Sequence, residues 1–256
     1  MDVNKLYNEN CIDTMSRMGE GFVDLTLTSP PYDNQRNYNG YSFDFETIAK
    51  ELYRVTKDGG VVVWVVNDQT KDGSESGTSF KQALYFKEIG FNLHDTMIWV
   101  CQKAPLTHKR YEQAFEFMFV LVKGKIKTFN GLTTERKWKD NRTKKLVRVE
   151  KDGKKDYGYA GQSPNVLMNN VWSISTGGGK STLDKIAYKH PAIFPEELAE
   201  RHILSWSNPC DLVYDPFMGS GTTAKMAMLN GRFWIGSEIS KEYCDIANER
   251  LQTLIN

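Results

Sequence analysis

Apolar residues alternate through Phe22-Val23-Asp24-Leu25-Thr26-Leu27, a period of two that predicts a buried strand over residues 23–28. Ser29, Pro30 and Pro31 follow at once, and two prolines without N–H groups stop a strand. Across residues 45–55 the spacing becomes helical, with Ile48, Leu52 and Val55 on one side. The uninterrupted apolar run over 61–66 fits a central parallel strand covered on both faces. A helix is predicted over 80–89 with Gly90 as its carboxyl cap, then strands over 93–100 and 115–122 that pair near one sheet edge. The helix over 195–206 opens with Pro195, Glu196 and Glu197, the residues a helix start favours. Strand 212–215, a glycine turn, a helix to Leu229 and strand 233–236 follow. A last helix over 241–255 puts Tyr243, Ile246, Ala247, Leu251 and Leu254 on one side. Strands alternating with helices predict an α/β fold, a doubly wound and mostly parallel sheet. No internal repeat or low-complexity tract is evident.

Open α/β sheets bind ligands at the carboxyl ends of their strands, and two such ends carry chemistry here. Ser29, Pro30, Pro31 and Tyr32 place a hydroxyl, carbonyl acceptors and an aromatic face together, a slot suited to a planar base bearing an exocyclic amine. Alone, a Pro-Pro step is as often a plain loop terminator. The second end reads Asp215-Pro216-Phe217-Met218-Gly219-Ser220-Gly221-Thr222, where glycines permit close backbone approach to a ligand and a helix follows. Glu238 ends the next strand, where a carboxylate commonly bonds ribose hydroxyls. Gly219 to Ala224 also fits the loose dinucleotide pattern, but a nicotinamide enzyme has no need of Ser-Pro-Pro-Tyr. Gly177 to Thr182 lacks the leading glycine of a phosphate loop, Ile174 standing there, and reads as a flexible turn. His190 and His202 have no third ligand nearby in sequence, so they read as core or capping residues and no metal is expected.

Together the two segments resemble the S-adenosylmethionine-dependent amino-methyltransferases of DNA, which modify adenine N6 or cytosine N4. Thr28 to Tyr32 is similar to their catalytic loop, 215–222 to their cofactor loop, and His190-Pro191-Ala192-Ile193-Phe194-Pro195 to the segment preceding it. The catalytic loop comes first, which resembles the permuted β group, and the likeness spans nearly the whole chain. It implies a Rossmann-like methyltransferase domain over 1–256 with a target-recognition insertion, approximately 103–170. It also implies catalytic roles for Ser29, Pro30, Pro31 and Tyr32. Asp215, Phe217, Gly219, Gly221, Thr222 and Glu238 would surround S-adenosylmethionine, with Ala192 and Phe194 on the adenosine side. Asp33 and Asn34 would either touch the flipped nucleotide or form a turn. Serine at the head of the tetrad resembles the cytosine N4 enzymes, adenine N6 staying nearly as open. A homodimer is an expectation from the β-group resemblance alone.

Charge changes the picture where composition does not. The chain of 256 residues carries a net charge of only +1, yet residues 103–155 hold sixteen Lys or Arg against six acids. That stretch is therefore +10 and the rest −9, a polarity that attracts phosphates and points to double-stranded DNA as partner. Trp138, Asn141, Tyr157, Tyr159 and Gln162 among those charges suit DNA contacts. The four cysteines are scattered without metal or redox spacing, and no leader or membrane span is seen, so a reduced, cytoplasmic chain is expected. Methylation of RNA or of a protein amide, and a DNA-binding protein without turnover, are the competing readings. Glutamine-methylating relatives carry Asn-Pro-Pro-Tyr after their cofactor loop, the opposite order to this chain.

Overall fold

The computed structural model describes residues 1–31, 43–101, 109–136, 145–149, 153–158, 164–177 and 179–254, with backbone alone at 145–148 and 155–158. In chain order the elements are β1 (Lys5–Tyr7), α1 (Cys11–Ser16), β2 (Val23–Thr28), α2 (Phe45–Val55), β3 (Thr56–Val66), β4 (Thr70–Lys71), β5 (Ser74–Glu75), α3 (Thr78–Glu88), β6 (Phe91–Val100) and β7 (Phe115–Lys123). Then come β8 (Thr133–Glu135), β9 (Lys145–Val149), β10 (Lys155–Gly158), β11 (Asn165–Leu167), β12 (Val171–Ser173), a 3₁₀ turn (Lys185–Lys189), α4 (Glu196–Trp206), β13 (Leu212–Asp215), α5 (Thr222–Leu229), β14 (Phe233–Ser237) and α6 (Lys241–Gln252).

Eight strands form one sheet in the order β1-β14-β13-β2-β3-β7-β6-β12. All run parallel except β7, which pairs antiparallel with both β3 and β6. β3 is buried from Gly59 to Val66, as expected of an apolar run with neighbours on both sides. β6 and β7 pair near one edge, as expected, and β12 adds outside β6, with Trp172 level with Trp99. Three residues carry too short a period to announce such a strand. The same holds for β1, which closes the opposite edge against β14.

On one face α2 buries Ile48, Ala49, Leu52 and Val55 in a core with Trp64, Phe86, Phe119 and Tyr214. Asp44 caps α2 by accepting from the Thr47 N–H at 3.2 Å. Trp64 donates its indole N–H to Gln82 of α3 over 2.8 Å, so its polar edge is satisfied inside the core. α5 packs against β13 and β14.

The chain divides into two units, Met1–Asn130 with Asn170–Asn256, and Gly131–Asn169. The smaller unit contains two antiparallel pairs, β9 with β10 and β8 with β11. Residues 109–130 belong to the larger unit, so the basic stretch is shared between the two. Lys103, Trp138, Asn141, Tyr159 and Gln162 lie outside the described residues, as does the side chain of Tyr157. No helix among the described residues is long and apolar enough to cross a membrane.

Candidate active site

β2 and β13 are neighbours, with Val213 level with Leu25 and Tyr214 with Thr26. From β2 the chain proceeds to β3 on one side, and from β13 to β14 on the other. The strand order therefore reverses between them, and loops leaving in opposite directions open a crevice at the carboxyl edge. The sequence puts Ser-Pro-Pro on one loop and the glycines on the other.

After β2, Pro30 is buried while Ser29 and Pro31 are half-buried. Tyr32, Asp33 and Asn34 lie outside the described residues. Thr28, the last residue of β2, donates its hydroxyl to Asp215 Oδ1 over 2.7 Å. The same oxygen accepts the Phe217 N–H at 3.0 Å, and Oδ2 accepts the Thr223 hydroxyl at 2.7 Å. Burial pushes the Asp215 carboxyl above its ordinary range, against the pull of the bonds from Thr223 and Thr28. This carboxylate thus joins β2, the loop and α5.

The loop turns through Gly219 at φ +51° and Gly221 at φ +82°, the left-handed region that glycine adopts without steric cost. Gly219 N–H donates to Glu238 Oε2 and Ser240 N–H to Oε1, both over 2.9 Å. Glu238 is likewise raised, burial outweighing those two bonds. Each of its oxygens retains acceptor capacity, since a carboxylate offers about four lone-pair sites. Phe217 sets its ring edge-on to Phe43 and Trp64, at centroid distances of 5.7 and 6.4 Å. It roots the loop in the aromatic core.

Ala192 is exposed and Phe194 half-buried. His190 reaches the loop: a Cβ on Gly219 would stand 3.1 Å from its Nε2, and its ring lies 4.3 Å from that of Tyr243. Its Nδ1 is 3.1 Å from the Ala192 nitrogen and 2.9 Å from the Ala192 oxygen, a local turn of the capping kind expected. His202 is a core residue, accepting from Trp206 Nε1 at 3.2 Å and packed against Trp172. Burial, with Arg201 nearby, lowers its pKa to about 3. Among the described residues no cluster of His, Cys, Asp or Glu could hold a metal.

Two groups escaped the sequence reading. At the end of β3, Asn67 is buried and its Oδ1 accepts from Asp68 N–H at 2.9 Å and from Gln113 Nε2 at 2.6 Å. Asp68 accepts from Ser76 and from the backbone and hydroxyl of Ser79, anchoring the start of α3. Farther along, at the ends of β6 and β12, Gln113 lines a cleft of about 370 Å³ with Cys101, Ser173 and Ser175. The other group is a charge cluster. Arg250, fully buried on α6, bonds Asp184 and Glu196, as does Lys225 of α5. Burial raises both carboxylates, but bonds from Lys225 to each, from Arg250 to Asp184 and from Thr182 to Glu196 outweigh it, so both sit below their ordinary values.

Comparison with known proteins gives a consistent picture. A family model described as "DNA methylase", for N6 and N4 methyltransferases, matches residues 23–249. The chain is 60% identical over 247 residues to the orphan methyltransferase M.BamHII of Bacillus amyloliquefaciens, covering 93% of this chain and 92% of the relative. It is 30% identical to the DNA adenine methyltransferase YhdJ of Escherichia coli K12, over 90% of this chain and 76% of that one. Among solved structures, the PvuII DNA methyltransferase, titled cytosine-N4-specific, superposes with a TM-score of 0.71 at 21% identity, over 98% of this chain and 86% of the other.

Proposed function

Because this chain belongs to the N6/N4 DNA methylase family, we propose that it methylates cytosine at N4 within a specific sequence of double-stranded DNA, on a base turned out of the helix. As a member it is an S-adenosylmethionine-dependent DNA amino-methyltransferase. One observation carries the assignment of residues: the Ser-Pro-Pro loop and the glycine loop leave neighbouring strands where the strand order reverses, cross-tied by Thr28 and Asp215.

The residues fit the cofactor. Glu238 stands at the end of β14 with acceptor capacity left on both oxygens, suited to ribose hydroxyls, and Gly219 and Gly221 let the loop turn through the left-handed region beside it. Phe217 and Thr222 would border it, with Ala192 and Phe194 on the adenosine side. When bound, S-adenosylmethionine supplies a methyl group on a positive sulfur.

An exocyclic amine is a weak nucleophile because its lone pair is delocalised into the ring. Ser29 Oγ and the Pro30 carbonyl would accept its two hydrogens and draw the nitrogen toward tetrahedral geometry. Its lone pair would then be free to take the methyl group as the sulfur–carbon bond breaks, and the proton lost from the amine would pass by way of Ser29 Oγ to solvent. Position and electrostatics do this work, with no covalent enzyme intermediate. Pro31 holds the turn, and Tyr32 would stack on the base. Asp215 acts here by positioning, since its described partners are Thr28, Phe217 and Thr223.

Serine rather than an acid at position 29 supports cytosine. A second reading, adenine N6, is favoured by the name of the Escherichia coli relative; the PvuII likeness carries fold alone. We assign target recognition to the basic stretch and its inserted unit, Gly131–Asn169, within one methyltransferase domain. A homodimer and a cytoplasmic location belong to the same proposal. Incubation with labelled S-adenosylmethionine and mixed-sequence duplex DNA, followed by nucleoside mass spectrometry, tests it. N4-methylcytosine supports the proposal, N6-methyladenine replaces the base, and neither, with cofactor bound, overturns it.

A further inference from the structure

Arg250 is buried and its guanidinium is used on every side. A guanidinium offers five N–H donors, and each has a partner. Nε donates to Asp184 Oδ2 at 2.6 Å, Nη1 to the Ser220 carbonyl at 3.1 Å and to Thr222 Oγ1 at 2.9 Å, and Nη2 to Thr182 Oγ1 at 3.1 Å and to Glu196 Oε1. Two of the five bonds therefore hold the glycine loop. The other three hold the ends of segment 182–196, which carries His190, Ala192 and Phe194.

Lys225 completes the cluster differently. Its Nζ lies 2.7 Å from Asp184 Oδ2 and 2.7 Å from Glu196 Oε1, whereas its link to the glycine loop is the backbone N–H, which donates to the Gly221 carbonyl at 2.9 Å whatever the side chain. Two cations and two carboxylates make the cluster neutral. Burying such a group is a weak source of stability, because desolvation offsets the attraction, whereas its geometric demands are strict. A planar fork with fixed donor directions can hold two segments at once, and a lysine cannot reproduce it.

We propose that Arg250 is a positioning residue of the cofactor site: one guanidinium clamps the loop Gly219–Thr222 to segment 182–196, so that the cofactor meets a preformed cradle. This rests on the cofactor reading above. Fixing both walls in advance removes an ordering cost from binding, which should appear in affinity for S-adenosylmethionine and not in affinity for DNA.

The test uses the full chain. Binding of S-adenosylmethionine is followed by calorimetry, DNA binding by fluorescence anisotropy, and stability by thermal melting. Arg250→Lys keeps the charge and loses the fork, so cofactor affinity should fall about tenfold or more, with KM for the cofactor rising and kcat at saturation nearly kept. DNA affinity should stay within about twofold. Lys225→Met, which disturbs the same charges without touching the loop, should lower the melting temperature and leave cofactor affinity within about threefold.

Asp184→Asn provides a milder break if Arg250→Lys does not fold, and should weaken the cofactor by a smaller factor. Glu238→Ala, which removes the carboxylate assigned to the ribose, serves as the control on the site itself. If it leaves cofactor affinity intact, the cofactor reading fails. If it weakens binding while Arg250→Lys or its substitute does not, the clamp alone is overturned. Equal losses of cofactor affinity in Arg250→Lys and Lys225→Met would also overturn it, by making the effect one of general stability.

Discussion

Thr28 and Asp215 stand 187 positions apart in the chain, yet the threonine hydroxyl donates to the buried carboxylate over 2.7 Å. Thr28 immediately precedes Ser29, and Asp215 begins the loop that leads to Gly219. One hydrogen bond thereby ties the starts of the two loops together.

Thr28→Val keeps the shape of the side chain and removes the donor. A buried acceptor that loses a partner costs about 1–3 kcal/mol, so the midpoint of urea unfolding should fall. Turnover should fall too, because Ser29 loses its fixed position. Unchanged stability and unchanged kcat in this variant would show that the bond does not matter.

Ser29→Ala should leave cofactor affinity near wild type while reducing kcat by about tenfold to a thousandfold, the range for deleting one group that stabilises a transition state. Ser29 sits half-buried between buried Thr28 and Pro30, so the truncation opens little space in the core. Calorimetry and single-turnover rates separate the two effects. Equal loss in both would point to a folding defect.

Gly221→Ala should destabilise the loop. At φ +82° an added Cβ is strained, and it would lie 3.1 Å from the Cβ of Ala247 on α6. The left-handed conformation costs roughly 1–2 kcal/mol for a residue with a Cβ. We expect a lower melting temperature and weaker cofactor binding. A variant as stable as the wild type would show that α6 gives way readily.

Acid should expose His202. Burial lowers its pKa from 6.5 to about 3, so the folded chain keeps it neutral where the unfolded chain binds a proton. Its contribution is whole above pH 6.5 and is lost as pH falls toward 3, by at most about 1.4 kcal/mol per pH unit. Asp184 and Glu196, held below their ordinary values, add a loss as pH falls below about 4.5. His202→Gln keeps an acceptor for Trp206 and should flatten the slope of stability between pH 6.5 and 4.5. The same slope in both proteins would contradict this origin.

Much of the fold was legible because its signals are local. Strand Val23–Thr28 and helix Phe45–Val55 appear with the predicted bounds, since period and capping act within a few residues. The last helix ends at Gln252, with Thr253 and Leu254 in a turn where helix was predicted and Ile255 outside the described residues. The apolar side read from it is the buried side, and Arg250 lies in the same series, four positions after Ile246. That spacing was the available signal for its burial. A charged residue is normally solvated, and only partners from distant segments reverse this.

By itself, then, the sequence determined the alternation of strands and helices, the two ligand-bearing strand ends, and the family to which their motifs belong. Only the tertiary structure decided that β12 and not β6 forms the edge, that Asp215 is occupied by Thr28 and Thr223, and that Arg250 joins the glycine loop to segment 182–196. Periodicity and turn chemistry are written within a dozen residues. The partner of a buried polar group is chosen by whichever distant segment the packed sheet brings within hydrogen-bonding reach.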